Sequence, residues 1–138
     1  MDKKKILAYL SQLDTYYQRL EKNIPAKFKD YNKNLILKGF CERTLQTLIE
    51  ICIDITNFII KEEKLGLPSE EEDIFKKLQQ DEIISKEITS TLRNMKKFRN
   101  VLIHRYVEVK DELVHDYAVN QRSDFMKFKK EILQYLKK

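Results

Sequence analysis

From Asn34 to Lys64 the chain passes through Leu35, Ile36, Leu37, Phe40, Cys41, Leu45, Leu48, Ile49, Ile51, Cys52, Ile53, Ile55, Phe58, Ile59 and Ile60 without meeting a proline. Apolar residues recurring at threes and fours predict one long helix. More of its surface is apolar than a single core-facing stripe requires. Such a helix is stable at the centre of a bundle, or partly buried against a second subunit. The rest of the chain must therefore supply helices to surround it, and its composition suits that task. The 138 residues include only two Gly and two Pro, with 42% hydrophobic and 36% charged, which leaves few helix breakers among many helix formers. The length allows one domain, residues 1–138, with a real core. The expected fold is all-α: an antiparallel up-and-down helical bundle of four long helices plus a short one.

The surrounding helices can be read in order. Ile6, Leu10, Leu13, Tyr17, Leu20 and Ile24 form a stripe at helical spacing. Asp2 stands where a negative charge favours a helix start, and Pro25 stops the pattern because the residue before proline is pushed out of the α region. Between Ala26 and Lys33 the pattern is ambiguous; Phe28 and Tyr31 fit a short helical turn. Gly66 and Pro68 are expected to end the long helix. Ser69 with Glu72 three residues on reads as a capping box for a short helix through Ile74, Phe75 and Leu78. Ser85 is placed to cap a fourth helix carrying Ile88, Leu92, Met95, Phe98 and Leu102. Val107 to Lys110 reads as extended. A last helix from about Asp111 presents Val114, Tyr117, Gln121, Phe125, Phe128, Ile132 and Tyr135 on one side. His115, beside Asp116 and off that stripe, is expected at the surface.

Several function classes are excluded. There is no Gly-rich phosphate loop and no GxSxG. Cys41 and Cys52 lie in an apolar helical stretch with no CxxC or Cys/His cluster, so they read as buried free thiols in a reducing compartment rather than metal ligands. Neither a metal nor a cofactor is expected. The basic start Lys3-Lys4-Lys5 is followed by no signal-peptide apolar run, and no segment of about 18 apolar residues could cross a membrane. A cytoplasmic protein is expected. The net charge of +5 is compatible with RNA or an acidic partner.

One stretch stands out chemically: Phe98-Arg99-Asn100-Val101-Leu102-Ile103-His104-Arg105-Tyr106. His104 is one of only two histidines, and histidine is the side chain whose ordinary titration range lies near neutrality. Arg99 can hold a phosphate through a planar fork of donors. Asn100 and His104, four apart, share a helix face. Arg99 and His104, five apart, are separated by about 140° on a straight helix. For both to address one phosphate, either the helix ends near His104 and turns, or a second subunit completes the site. The long helix carries a polar stripe at Arg43, Gln46 or Thr47, Glu50, Asp54 and Asn57. It reads either as a solvated face with internal i,i+4 pairing or as a face turned toward His104 through Arg43, Glu50 or Asp54.

Arg99-Asn100-Val101-Leu102-Ile103-His104 fits the R-N-x(3)-H form of the motif that defines HEPN domains. With Tyr106 it resembles the longer R-x(4)-H-x-Y motif of the HepT-like toxin family. Glu42-Arg43-Thr44-Leu45-Gln46-Thr47-Leu48-Ile49-Glu50 and Asp54-Ile55 resemble that family's ER-x-LQ-x(2)-IE-x(3)-DI segment. The spacing of the two segments and the helix order agree over nearly the whole chain. Lys96-Lys97, where small or apolar residues are expected, is a departure. The resemblance implies a HEPN-like helical bundle that dimerises with two motifs at the shared interface, alone or within a higher even-numbered assembly with its antitoxin. It implies a metal-independent endoribonuclease toxin whose partner is a minimal, MntA-like nucleotidyltransferase antitoxin that adds AMP to the motif tyrosine. Residue by residue, Arg99 and His104 would be catalytic, Asn100 supporting, and Tyr106 the AMPylation acceptor.

Two other readings differ in class. A HEPN-type dimer could grip nucleotides or an acidic partner without cleaving. A helical bundle could serve only as a non-catalytic subunit of a nucleotidyltransferase complex. Toxicity on expression, lost in Arg99→Ala or His104→Ala, separates the ribonuclease from both.

Overall fold

The computed structural model describes residues 2–66, 73–104 and 110–138. Within them the chain forms α1 (Lys3–Asn23), α2 (Phe28–Asn32), α3 (Leu35–Glu62), α4 (Ile74–Gln80), α5 (Lys86–Ile103), α6 (Asp111–Asp116), a π turn (Tyr117–Gln121) and α7 (Ser123–Leu136). No strand occurs among the described residues. The bundle is all-α. Three long helices and the compound helix α6–π–α7 make its walls, with α2 and α4 as short supports.

Side-chain contacts fix the directions. Tyr9 in the second turn of α1 meets Phe58 near the end of α3 edge-on at 6.2 Å, and the Lys5 ammonium lies 5.1 Å from the same ring. α1 and α3 therefore run antiparallel. Ser85, at the start of α5, donates from its amide (2.7 Å) and its hydroxyl (2.8 Å) to the Glu131 carboxylate near the end of α7, so those two also run antiparallel. α3 is the central element, with Leu45, Leu48, Ile49, Cys52, Ile55 and Ile59 all buried. Its first turn is the exception. Leu35 and Ile36 are 82% and 86% exposed, so the excess apolar surface noted in the sequence is concentrated at that end.

Most helix starts follow the expected chemistry. Asp2 accepts from the Lys5 amide at 3.2 Å. Ser85 accepts from the Ile88 amide at 3.1 Å. Both are side-chain N-caps that satisfy orphan donors. The capping box at Ser69–Glu72 lies outside the described residues. The helix after it begins only at Ile74 and takes its cap from Asp73, whose carboxylate accepts from Phe75 and Lys76. Pro68 too lies outside the described residues. α3 is closed by Lys64 in the left-handed region (φ 54°), with the Leu65 amide bonded to the Ile60 carbonyl at 3.0 Å. Gly66 follows at φ 95°. Glu82 closes α4 the same way, at φ 58° with Ile83 bonded to Leu78 at 2.8 Å. This is the Schellman arrangement with a charged residue at the position glycine usually takes.

Two expectations fail in the last helix. It is not continuous: the π turn at Tyr117–Gln121 interrupts it, and Gln121, the polar member of the expected stripe, comes out exposed. His115 is not on the surface. It is 7% exposed, its Nε2 lies 2.7 Å from the Pro25 carbonyl, and its ring packs on Tyr31 (5.0 Å) and Phe28 (5.6 Å). The physical reason is α2, which lies across α6 and buries a second face of it. No periodicity within the last helix could announce that.

Candidate functional site

The end of α5 is built from its core stripe outward. Ile88, Leu92, Met95 and Leu102 are buried; Phe98 packs half-buried beside them. These anchors fix the rotation of the helix and so decide where the neighbouring positions point. Arg99 comes out at the rim, half-buried, while Asn100 and His104 are exposed. Lys97 is exposed and Lys96 half-buried, so the two lysines that depart from the family pattern are carried on α5 without interrupting it.

The Arg99 Nη2 donates to the Asn100 side-chain oxygen at 3.1 Å. Its Nε is buried without a hydrogen-bond partner. A buried charged donor left unmatched costs about 1–3 kcal/mol or more, and such groups in native proteins call for an explanation, a water or a bound anion among them. The guanidinium is thus held by fit and by one amide, with donors remaining for an anionic ligand. Among the described residues no carboxylate lies within ion-pair distance of it.

His104 is the C-cap of α5, with φ −78° and ψ 84°. Its amide still donates to the Asn100 carbonyl at 3.2 Å. The helix therefore ends here, as one of the two sequence alternatives required, but His104 itself keeps its helical azimuth. The separation of about 140° from Arg99 is not removed by the helix ending. Two exposed apolar residues, Val101 (43%) and Ile103 (41%), flank the same turn. Tyr106, the fourth site residue expected from sequence, lies outside the described residues, as do Val107 to Val109 of the expected extended segment.

The polar stripe of α3 takes the plainer of its two forms. Gln46 donates to Glu50 at 3.1 Å along the helix, and Arg43, Asp54 and Asn57 are exposed. Partial burial first, and then the neighbouring Glu50 charge, raise the Asp54 carboxyl above its ordinary value. Both thiols are core groups as expected. Burial pushes Cys41 up to about 12 and Cys52 higher still, which keeps them protonated and unreactive.

Sequence reasoning did not find the aromatic pair behind the site. Phe98, adjacent to Arg99, lies flat on Tyr117 of the π turn, with centroids 4.5 Å apart and planes 4° from parallel. Each residue was legible as core. Their mutual stacking depends on the π turn, which has no sequence signature here.

The described residues include no helix long and apolar enough to cross a membrane. The family model described as Ribonuclease HepT-like matches residues 13–132. A protein of Shewanella oneidensis named mRNA nuclease HepT is 33% identical over 98 residues, covering 71% of this chain and 74% of that protein. The structure of a tri-AMPylated Shewanella oneidensis HEPN toxin in complex with MNT antitoxin matches with a TM-score of 0.84 and 25% identity, over 94% of this chain and 96% of that one. A toxin–antitoxin crystal structure with AMP-PNP shares the fold, with a TM-score of 0.85, 24% identity, and coverage of 94% and 97%.

Proposed function

The chain belongs to the Ribonuclease HepT-like family, and we propose that it is the ribonuclease toxin of a toxin–antitoxin pair. In this reading one domain spans residues 1–138. It cuts RNA as a homodimer without a metal and is silenced by a cognate minimal nucleotidyltransferase that adds AMP to Tyr106. The observation that carries the reading is the end of α5, where a half-buried guanidinium and an exposed imidazole stand five residues apart on a HEPN-type bundle.

RNA supplies its own nucleophile, the 2′-hydroxyl, so no metal-bound hydroxide has to be generated. His104 takes the acid/base role and moves the proton. Arg99 clamps the phosphate and meets the charge that develops on its oxygens. Asn100, bonded to Arg99 at 3.1 Å, holds the fork in plane. Because His104 keeps its helical azimuth, Arg99 and His104 of one copy diverge. A second copy packed on Val101 and Ile103 would bring Arg99 of one chain toward His104 of the other. AMP on Tyr106, two residues past His104, would add bulk and negative charge where substrate phosphate must sit.

The test is intact mass and RNA cleavage on one preparation, expressed with and without a minimal nucleotidyltransferase of the MNT type, with His104→Ala alongside. The expected result is cleavage by unmodified wild type, none by His104→Ala, and an AMP-sized mass gain that silences the wild type. If no RNA is cut and the mass never changes, catalysis is abandoned and the Arg99–Tyr106 stretch becomes a binding surface.

A further inference from the structure

We propose that Tyr117 is a positioning residue for the Arg99–His104 site, and that the π turn places its ring flat on Phe98 to fix the rotation of the last turn of α5. The proposal rests on the ribonuclease reading for its consequence in activity, but its geometric content stands apart from it.

The observations are of three kinds. First, the contact is ring face on ring face. Aromatic pairs settle in offset-stacked or edge-to-face arrangements, and Tyr117 makes an edge contact of that kind with Phe125, at 6.4 Å and 60°. Against Phe98 it makes the stacked contact, its plane nearly parallel at 4.5 Å and 4°. Parallel stacked faces resist rotation of either helix about its axis, since rotation tilts one ring and opens a wedge between them. An aliphatic contact there would slide. Second, Tyr117 is itself fixed. It is 6% exposed, and burial drives its phenol far above the ordinary tyrosine range, with the Asp124 charge adding to this. It belongs to the π turn, a local departure from the α ladder that tends to mark functional positions. Third, the residue next to Phe98 is sensitive to rotation. Arg99 has no carboxylate partner among the described residues and a buried, unmatched Nε. Its direction is therefore inherited from the backbone azimuth rather than set by an ion pair. A misplacement of about 1 Å at a reacting group costs on the order of 10²-fold in rate.

The experiment uses purified full-length protein and a defined RNA oligonucleotide. Tyr117→Phe keeps the ring, and Tyr117→Leu keeps apolar bulk without it. Phe128→Leu, at a fully buried position of α7, removes a ring from the same core without touching the stack. Tyr117→Leu is expected to lower kcat at least tenfold with KM within about twofold, while Tyr117→Phe retains wild-type kcat. Phe128→Leu is expected to lower the melting temperature with kcat unchanged. With only two histidines in the chain, the ring resonances of His104 give a second readout that needs no turnover. They should move in Tyr117→Leu and stay in place in Tyr117→Phe and Phe128→Leu. Equal kcat losses in Tyr117→Leu and Phe128→Leu, or His104 resonances unmoved in Tyr117→Leu, would overturn the proposal. If wild type cuts no RNA at all, the ribonuclease reading falls, and the His104 resonances still decide whether Tyr117 positions the site.

Discussion

The two histidines sit at two helix ends that have been built in opposite ways. His115, in the last turn of α6, is enclosed: a carbonyl at 2.7 Å, two aromatic rings, and 7% exposure. Around it α3 and α6 are tied further by the Lys38–Asp111 ion pair at 3.0 Å. His104, at the end of α5, is exposed, with half-buried Arg99 and apolar Val101 and Ile103 for neighbours. The enclosed histidine fastens one segment to another. The open one stands where a substrate or a partner can reach it. A side chain with the chemistry for catalysis is used as a fastener wherever the fold surrounds it, so residue type alone assigned neither role.

The sharpest way to break this contrast is to remove each imidazole and compare what is lost. His104→Ala is expected to reduce RNA cleavage by about 10²- to 10⁴-fold, the usual range for a general acid or base. Its melting temperature should stay within a degree or two, because the side chain is exposed. Cleavage assays and thermal unfolding on one preparation check both halves. Arg99→Ala is expected to lose about 10²- to 10³-fold, as for removal of one preorganised charge-stabilising donor. Arg99→Lys should recover little of that, since an ammonium does not reproduce the planar fork. Full recovery by lysine would show that charge alone is needed.

His115→Ala should do the reverse. It leaves a cavity between Phe28 and Tyr31 and orphans the Pro25 carbonyl, so a stability loss of about 2–4 kcal/mol is expected by denaturant unfolding. Cleavage per folded molecule should be nearly unchanged. A selective loss of kcat in fully folded His115→Ala would mean that the two ends are coupled and that the enclosed histidine belongs to the site.

These roles were unequally legible in the sequence, and the reason is the range of the interactions involved. α1, α3 and α5 announce themselves because their caps and stripes act within a few residues: Asp2 on Lys5, Ser85 on Ile88, Ile6 to Ile24 along one face. The composition of the Arg99–His104 stretch was visible for the same reason, and so was the fact that a straight helix separates its two key groups. His115 was misplaced because the groups that bury it lie far away in sequence: the Pro25 carbonyl, 90 residues off, and Phe28 and Tyr31 on a helix of five residues. The π turn was invisible because it is set by how α6 and α7 must each face the bundle. The stack of Tyr117 on Phe98 followed it out of view.

A change remote from both histidines should move stability alone. Lys64 holds a left-handed conformation at the end of α3, on the end of the bundle away from α2. Such a conformation is strained for any residue with a Cβ. Lys64→Gly is expected to stabilise the protein by about 0.5–1 kcal/mol, after the added freedom of glycine in the unfolded chain is discounted. Urea midpoints measure this, and cleavage should be unaltered. A gain in stability that slowed cleavage would indicate that the open end depends on looseness elsewhere in the bundle.

The smallest expected effect concerns the charge held beneath the enclosed end. Glu42 is half-buried near Asp111 and Lys38. Burial first, and then the Asp111 charge, raise its pKa above the ordinary carboxylate value, with Lys38 opposing them. A carboxyl raised on folding binds its proton more tightly in the native state than in the unfolded one. Its contribution to stability is therefore full below the unfolded pKa and is lost as pH rises through the folded value. Glu42→Gln removes that loss while keeping shape and hydrogen-bonding capacity. In urea unfolding at a series of pH values, the variant should be slightly the more stable at neutral pH. The difference should shrink on acidification through the carboxylate range. The opposite sign, with wild type favoured at neutral pH, would mean that attraction to Lys38 outweighs burial, and that the enclosed end is held by charge as well as by packing around His115.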